Sequence, residues 1–198
     1  MHVVVTCSTL VHIDAPPPKA GSVYMFATPS TSGASSDARC AVSASSMSSW
    51  AKSLAELGFE LPSTSTPIGV YVPAVRTGDL VYTSGQLPLV RGSIERPGKV
   101  GRQVSVTDAS RAAEICTLNA LAAIDALVGL DSVVRVVKVT GFVASADDFA
   151  GQPEVVNGAS NLLARVFGDA GTHARSAVGV AELPLNAPVE VELIVEVA

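Results

Sequence analysis

The sequence predicts an α+β fold in the order ββ-α-β-α-ββ, a sheet with two helices over one face, and three observations lead there. The stretch "PVEVELIVEV" near the carboxyl end alternates strictly: Val189, Val191, Leu193, Val195 and Val197 share one face, and Glu190, Glu192, Ile194 and Glu196 share the other. Two stretches, "SVTDASRAAEICTLNALAAIDALVGL" and "PEVVNGASNLLARVFGDAG", repeat small and apolar residues at helical spacing. Between them "SVVRVVKVTGFV" is a β-branched run long enough for a central strand.

The elements follow in chain order. Residues 1–46 are rich in Pro, Ser, Gly and Ala, as in "APPPKAGS", and cannot bury enough apolar area to offset ordering entropy. They are expected to be a disordered extension, or an artefact of a start assigned upstream of Met47. A transit peptide is the weaker reading, because Lys19 and Arg39 are their only basic residues. Residues 47–198 form the expected domain. "SSWAKSLAELGFELP" is a short amphipathic helix with Trp50, Leu54 and Leu57 at helical spacing and Gly58 as its stop. "VYVPAVRTGDLVYTSGQLPLV" reads as two strands around Thr77, Gly78 and Asp79. The first long helix opens with Ser105 three residues before Asp108, a capping signal, and presents Ala113, Cys116, Ala120, Ala123 and Leu127 inward. The second has Pro153 in its first turn and ends at Gly168.

Composition bounds the function. Of 198 residues, 48% are hydrophobic and only 16% charged, so the uncovered sheet face is expected to pack on neighbouring subunits. The net charge of -5 argues against a phosphate backbone as partner, and nucleic acid is not expected. Cys7, Cys40 and Cys116 lack CxxC spacing, and His2, His12 and His173 are scattered, so neither a disulfide framework nor a metal site is indicated. No Walker or GxGxxG motif is present, and no cofactor is expected. No apolar run approaches the roughly 20 residues of a membrane span, so a cytoplasmic protein with no membrane partner is expected.

The stretch "GTHARSAVGVAELP" carries the candidate chemistry. A period of two places Arg175, Ala177, Gly179 and Ala181 on one face, leaving a hollow beside a guanidinium suited to bidentate capture of a carboxylate. A structural salt bridge is the competing reading. If "ELPLNA" closes a symmetric hairpin, Arg175 lies opposite Ile194, with Glu192 and Glu196 as diagonal carboxylates.

"YVPAVRTGDLVYTSGQLP", "VKVTGFVASADDFAGQPEVVN" and "ARSAVGVAELPLNAPVEVELIVEV" resemble, in that order, three signatures of the Rid proteins, also called the YjgF-like or L-PSP endoribonuclease family. The resemblance covers about residues 55 to 198. It implies a chorismate-mutase-like fold, a homotrimer with clefts between subunits, and cofactor-free hydrolysis of enamines and imines such as 2-aminoacrylate to 2-keto acids and ammonia. In that resemblance Arg175 holds the substrate carboxylate, Glu190 is linked to the attacking water, and Tyr71, Ser84, Gly85 and Asn157 line the cleft. His173, two residues before the arginine, is a further candidate for substrate contact. Ala177 stands where the family's deaminases often carry a cysteine, which marks a different subgroup. The alternatives are a non-catalytic trimer binding a small carboxylate and, from the family label, an endoribonuclease.

Overall fold

The computed structural model describes residues 49–63 and 70–198; the reading of residues 1–46 lies outside them. The chain runs α1 (Trp50–Glu56), β1 (Ala74–Thr77), β2 (Leu80–Thr83), β3 (Leu89–Val90), β4 (Ser93–Ile94), α2 (Val106–Val128), β5 (Val133–Ala144), α3 (Gln152–Phe167), β6 (Ala174–Val180) and β7 (Val189–Val197). The expected ββ-α-β-α-ββ order is present, with α1 ahead of it and the β3–β4 hairpin inserted after β2.

Local chemistry sets the boundaries. Thr77 pairs with Leu80 across Gly78 and Asp79, and Gly78 sits at φ 57°, as a tight hairpin turn requires. The Ser105 side chain accepts from the Asp108 backbone N–H and caps α2, which ends at Gly129 with φ 80°. Pro153 lies in the first turn of α3, and Gly168 ends it. Trp50 anchors α1: its indole N–H donates to the Val133 carbonyl at 2.8 Å, and its ring lies 5.1 Å from that of Phe167.

The sheet order is β1-β2-β7-β5-β6, with β5 and β6 parallel and every other pair antiparallel. Helices α2 and α3 cover one face. Beneath them Val189, Val191, Leu193, Val195 and Val197 are all buried, as the alternation predicts. Leu127 departs from expectation: it is 45% exposed and lines a surface groove with Val72, Pro73, Ala74 and Ala126. The opposite sheet face carries Val75, Tyr82 and Val178, which are exposed apolar side chains. No helix among the described residues is long and apolar enough to cross a membrane.

The expected hairpin between the last two strands does not form. β5 lies between β6 and β7, so Arg175 pairs with Val139 rather than Ile194, and Glu192 and Glu196 are not its neighbours. A strand has two hydrogen-bonding edges, and the same stretch of β5 pairs with β6 along one and β7 along the other; α3 returns the chain to the same end of the sheet, which makes β6 parallel. Residues 181–188 then need to cross only two strand spacings, about 10 Å, to start β7. Leu185 and Asn186 take positive φ within that crossing.

Candidate functional site

Arg175 points to the helix side of β6. Its Nη1 donates to Asn157 Oδ1 at 2.8 Å and to Ser160 Oγ at 3.1 Å, both on α3. Among the described residues no carboxylate lies within ion-pair range of it. The competing salt bridge is therefore absent, and a permanently charged fork is held by neutral partners alone. His173 sits beside this group, with Nε2 3.0 Å from Ser160 Oγ and Nδ1 2.6 Å from the Gly171 carbonyl oxygen. The expected hollow is partly filled: a Cβ at Gly179 would meet Gln152 Nε2 at 2.8 Å and Ser145 Oγ at 3.0 Å.

Glu190 gathers a second group on the open face. Its carboxylate lies directly over Gly85, where a built Cβ would overlap Oε1 and meet Cδ at 2.7 Å. Glycine at 85 is thus the residue that leaves room for the carboxylate. Burial pushes the Glu190 carboxyl above its usual range, and the neighbouring charge of Glu192 adds to the push. Burial raises Glu192 as well. Ser84, just before Gly85, donates its hydroxyl to the Val72 carbonyl at 2.7 Å, and its N–H donates to the Pro73 carbonyl at 2.8 Å. These bonds tie the segment before β1, which carries half-exposed Tyr71, to the end of β2.

The two groups do not meet within one chain. Arg175 shares its face with Val139 and Leu193, on the helix side, whereas Glu190 shares its face with Phe142 and Val178, on the open side. One set comprises Arg175, Asn157, Ser160 and His173; the other comprises Glu190 and Gly85, with Ser84 next to Gly85 and Tyr71 next to Val72, whose carbonyl Ser84 holds. Ser160 was not singled out in the sequence, although its position three residues after Asn157 on a helix is the signal that both share a face.

The chain is similar to known proteins over this whole unit. The family model described as Endoribonuclease L-PSP matches residues 62–197. Protein TCP17 of Trypanosoma cruzi is 43% identical over 148 residues, which cover 74% of this chain and 92% of that protein. A 2-iminobutanoate/2-iminopropanoate deaminase of Dermatophagoides farinae is 36% identical over 135 residues, covering 68% of this chain and 91% of that protein. A crystal structure of a protein of unknown function from Agrobacterium tumefaciens superposes with a TM-score of 0.69 at 49% identity, covering 75% of this chain and 92% of that one. Escherichia coli TdcF with bound serine gives a TM-score of 0.51 at 28% identity, covering 68% of this chain and 94% of that one. From β1 to β7, the motifs, the fold and these likenesses agree that the chain belongs to the L-PSP endoribonuclease, or Rid, family.

Proposed function

We propose that this protein is a Rid-type deaminase, which hydrolyses small carboxylated enamines and imines to 2-keto acids and ammonia at clefts between the subunits of a homotrimer. The observation that carries this reading is the unpaired Arg175 guanidinium, aimed away from the face that holds Glu190. An arginine held only by neutral groups keeps its charge for an anionic ligand. Two half-sites on opposite faces of one sheet converge only when a second copy brings its own half, and the exposed Val75, Tyr82 and Val178 give that copy an apolar surface. The relative named as an iminobutanoate and iminopropanoate deaminase, and the serine-bound neighbour, support an amino-acid-like substrate.

The chemistry fits these parts. The enamine 2-aminoacrylate takes a proton at its terminal carbon and becomes an iminium, whose carbon is electrophilic without further activation. Arg175 fixes the carboxylate, and Glu190 takes a proton from water as its oxygen bonds to that carbon. A carboxylate whose proton affinity is raised by burial is a better base for this step than an exposed one. Glu190 then returns that proton to the carbinolamine nitrogen, the C–N bond breaks to release ammonia, and the hydroxyl proton passes to solvent in place of the one taken up at the terminal carbon, leaving the keto acid. Tyr71, Ser84, Gly85, Asn157 and His173 are proposed to shape and line the cleft.

A second reading, carboxylate binding without turnover, is favoured by Ala177 at the position where the family's deaminases often carry cysteine. The test is hydrolysis of 2-aminoacrylate and bulkier imines, generated in place by an amino-acid dehydratase or oxidase, by the wild type and Arg175→Ala. Turnover that vanishes in the variant is the expected result. Saturable keto-acid binding with no turnover on any imine would replace the deaminase by the binding reading.

A further inference from the structure

We infer that Ser160 and His173 are positioning residues that lock the Arg175 guanidinium in one orientation, so that its Nε–Nη2 edge is the one a carboxylate meets. This rests on the reading of Arg175 as the carboxylate anchor. A guanidinium has five N–H donors, two of them on Nη1. Asn157 Oδ1 at 2.8 Å and Ser160 Oγ at 3.1 Å take both. What remains is Nε–H and Nη2, whose parallel N–H bonds match the two oxygens of a carboxylate.

The hydrogen-bond directions make His173 part of the lock. The Gly171 carbonyl can only accept, so Nδ1 carries the ring proton. In the neutral ring Nε2 is then an acceptor, and the Ser160 hydroxyl at 3.0 Å donates to it. With its proton spent on His173, Ser160 turns lone pairs toward Arg175. A serine inside a helix otherwise tends to donate to the carbonyl four residues back, here that of Val156. His173 competes with that bond and keeps the Ser160 oxygen on the guanidinium. The chain of donors therefore runs from Arg175 to Ser160, from Ser160 to His173, and from His173 to Gly171.

Calorimetric titration of the full-length protein with 2-oxobutanoate, and with the uncharged ketone 2-butanone, tests the lock, with turnover measured in parallel. Ser160→Ala is expected to weaken keto-acid binding about tenfold, the share of a charge-assisted hydrogen bond, and to raise KM in step while kcat stays within about twofold. Affinity for 2-butanone stays unchanged, and Ser160→Thr, which keeps the hydroxyl, restores keto-acid binding. His173→Asn retains a donor for Gly171 but offers no acceptor at the Nε2 position, and it is expected to show the same loss. The double variant loses no more than either single one, because both act on one bond. Wild-type affinity in Ser160→Ala, or losses that add in the double variant, would overturn the lock and leave the anchor standing. A wild-type protein that does not bind 2-oxobutanoate at all would overturn the anchor, and the lock with it, before any variant is made.

Discussion

Replacing Glu190 with glutamine is expected to raise stability and lower activity together. The Glu190 carboxyl sits above its usual range because burial penalises its charge and Glu192 repels it. In the unfolded chain the same group ionises at the ordinary carboxylate value. The folded state thus holds the proton more tightly, so stability is fullest below the unfolded pKa and falls as the pH rises through the window up to the folded one. Above that window the charge carries a constant cost, which glutamine removes. Glu190 is only half-buried, so the cost stays in the range of partly exposed charges, below about 1 kcal/mol. At this chain length that is a gain of at most a few degrees in Tm. Thermal unfolding at about pH 3.5 is expected to show the two proteins together, and at about pH 8 the variant ahead. Glutamine is nearly isosteric and keeps the contact over Gly85, so the expected loss of about 10²–10⁴ in kcat reflects the missing base. A variant that unfolds several degrees lower at the higher pH would refute the electrostatic reasoning. Unchanged kcat would remove Glu190 from the mechanism.

Two further substitutions separate the site from the scaffold. Gly85→Ala drives the Glu190 side chain off its seat; because the displaced group is a flexible end, stability is expected to fall by less than about 1 kcal/mol while kcat falls about 10²-fold, read by unfolding and by steady-state turnover. Trp50→Ala removes the bond to the Val133 carbonyl and the ring packed on Phe167, and urea unfolding is expected to show a loss of about 2–4 kcal/mol with kcat within about twofold, since neither Val133 nor Phe167 belongs to a half-site.

The parts of the fold that were legible are those set by neighbours in sequence. The alternation of β7, the Ser105 cap of α2, and Pro153 and Gly168 at the ends of α3 are local chemistry, and the structure places each where its residues direct. Strand adjacency is not local: nothing in "ELPLNA" says that β5 will lie between β6 and β7, and the expected contact between Arg175 and the β7 carboxylates failed on that point. Leu127 obeyed the helical period yet stayed exposed beside Val72, Pro73 and Ala74, because what covers a helix end is decided by tertiary packing and not by the period. The Arg175 side chain was legible as a misfit among small residues. Its partners Asn157 and Ser160 come from a helix whose docking is tertiary. That Arg175 and Glu190 face opposite ways follows from the register alone, once the strand order is known.

The central claim is that each working cleft takes Arg175 from one copy and Glu190 from another, and subunit mixing tests it most directly. Arg175→Ala and Glu190→Gln are each purified, confirmed inactive, then unfolded and refolded together in equal amounts. Random assembly gives about a quarter of the clefts an intact Arg175 from one parent and an intact Glu190 from the other, and about that fraction of wild-type turnover is expected to return. A mixture as inactive as its two parents would mean that the two residues serve the same cleft from one chain, or do not serve one cleft at all.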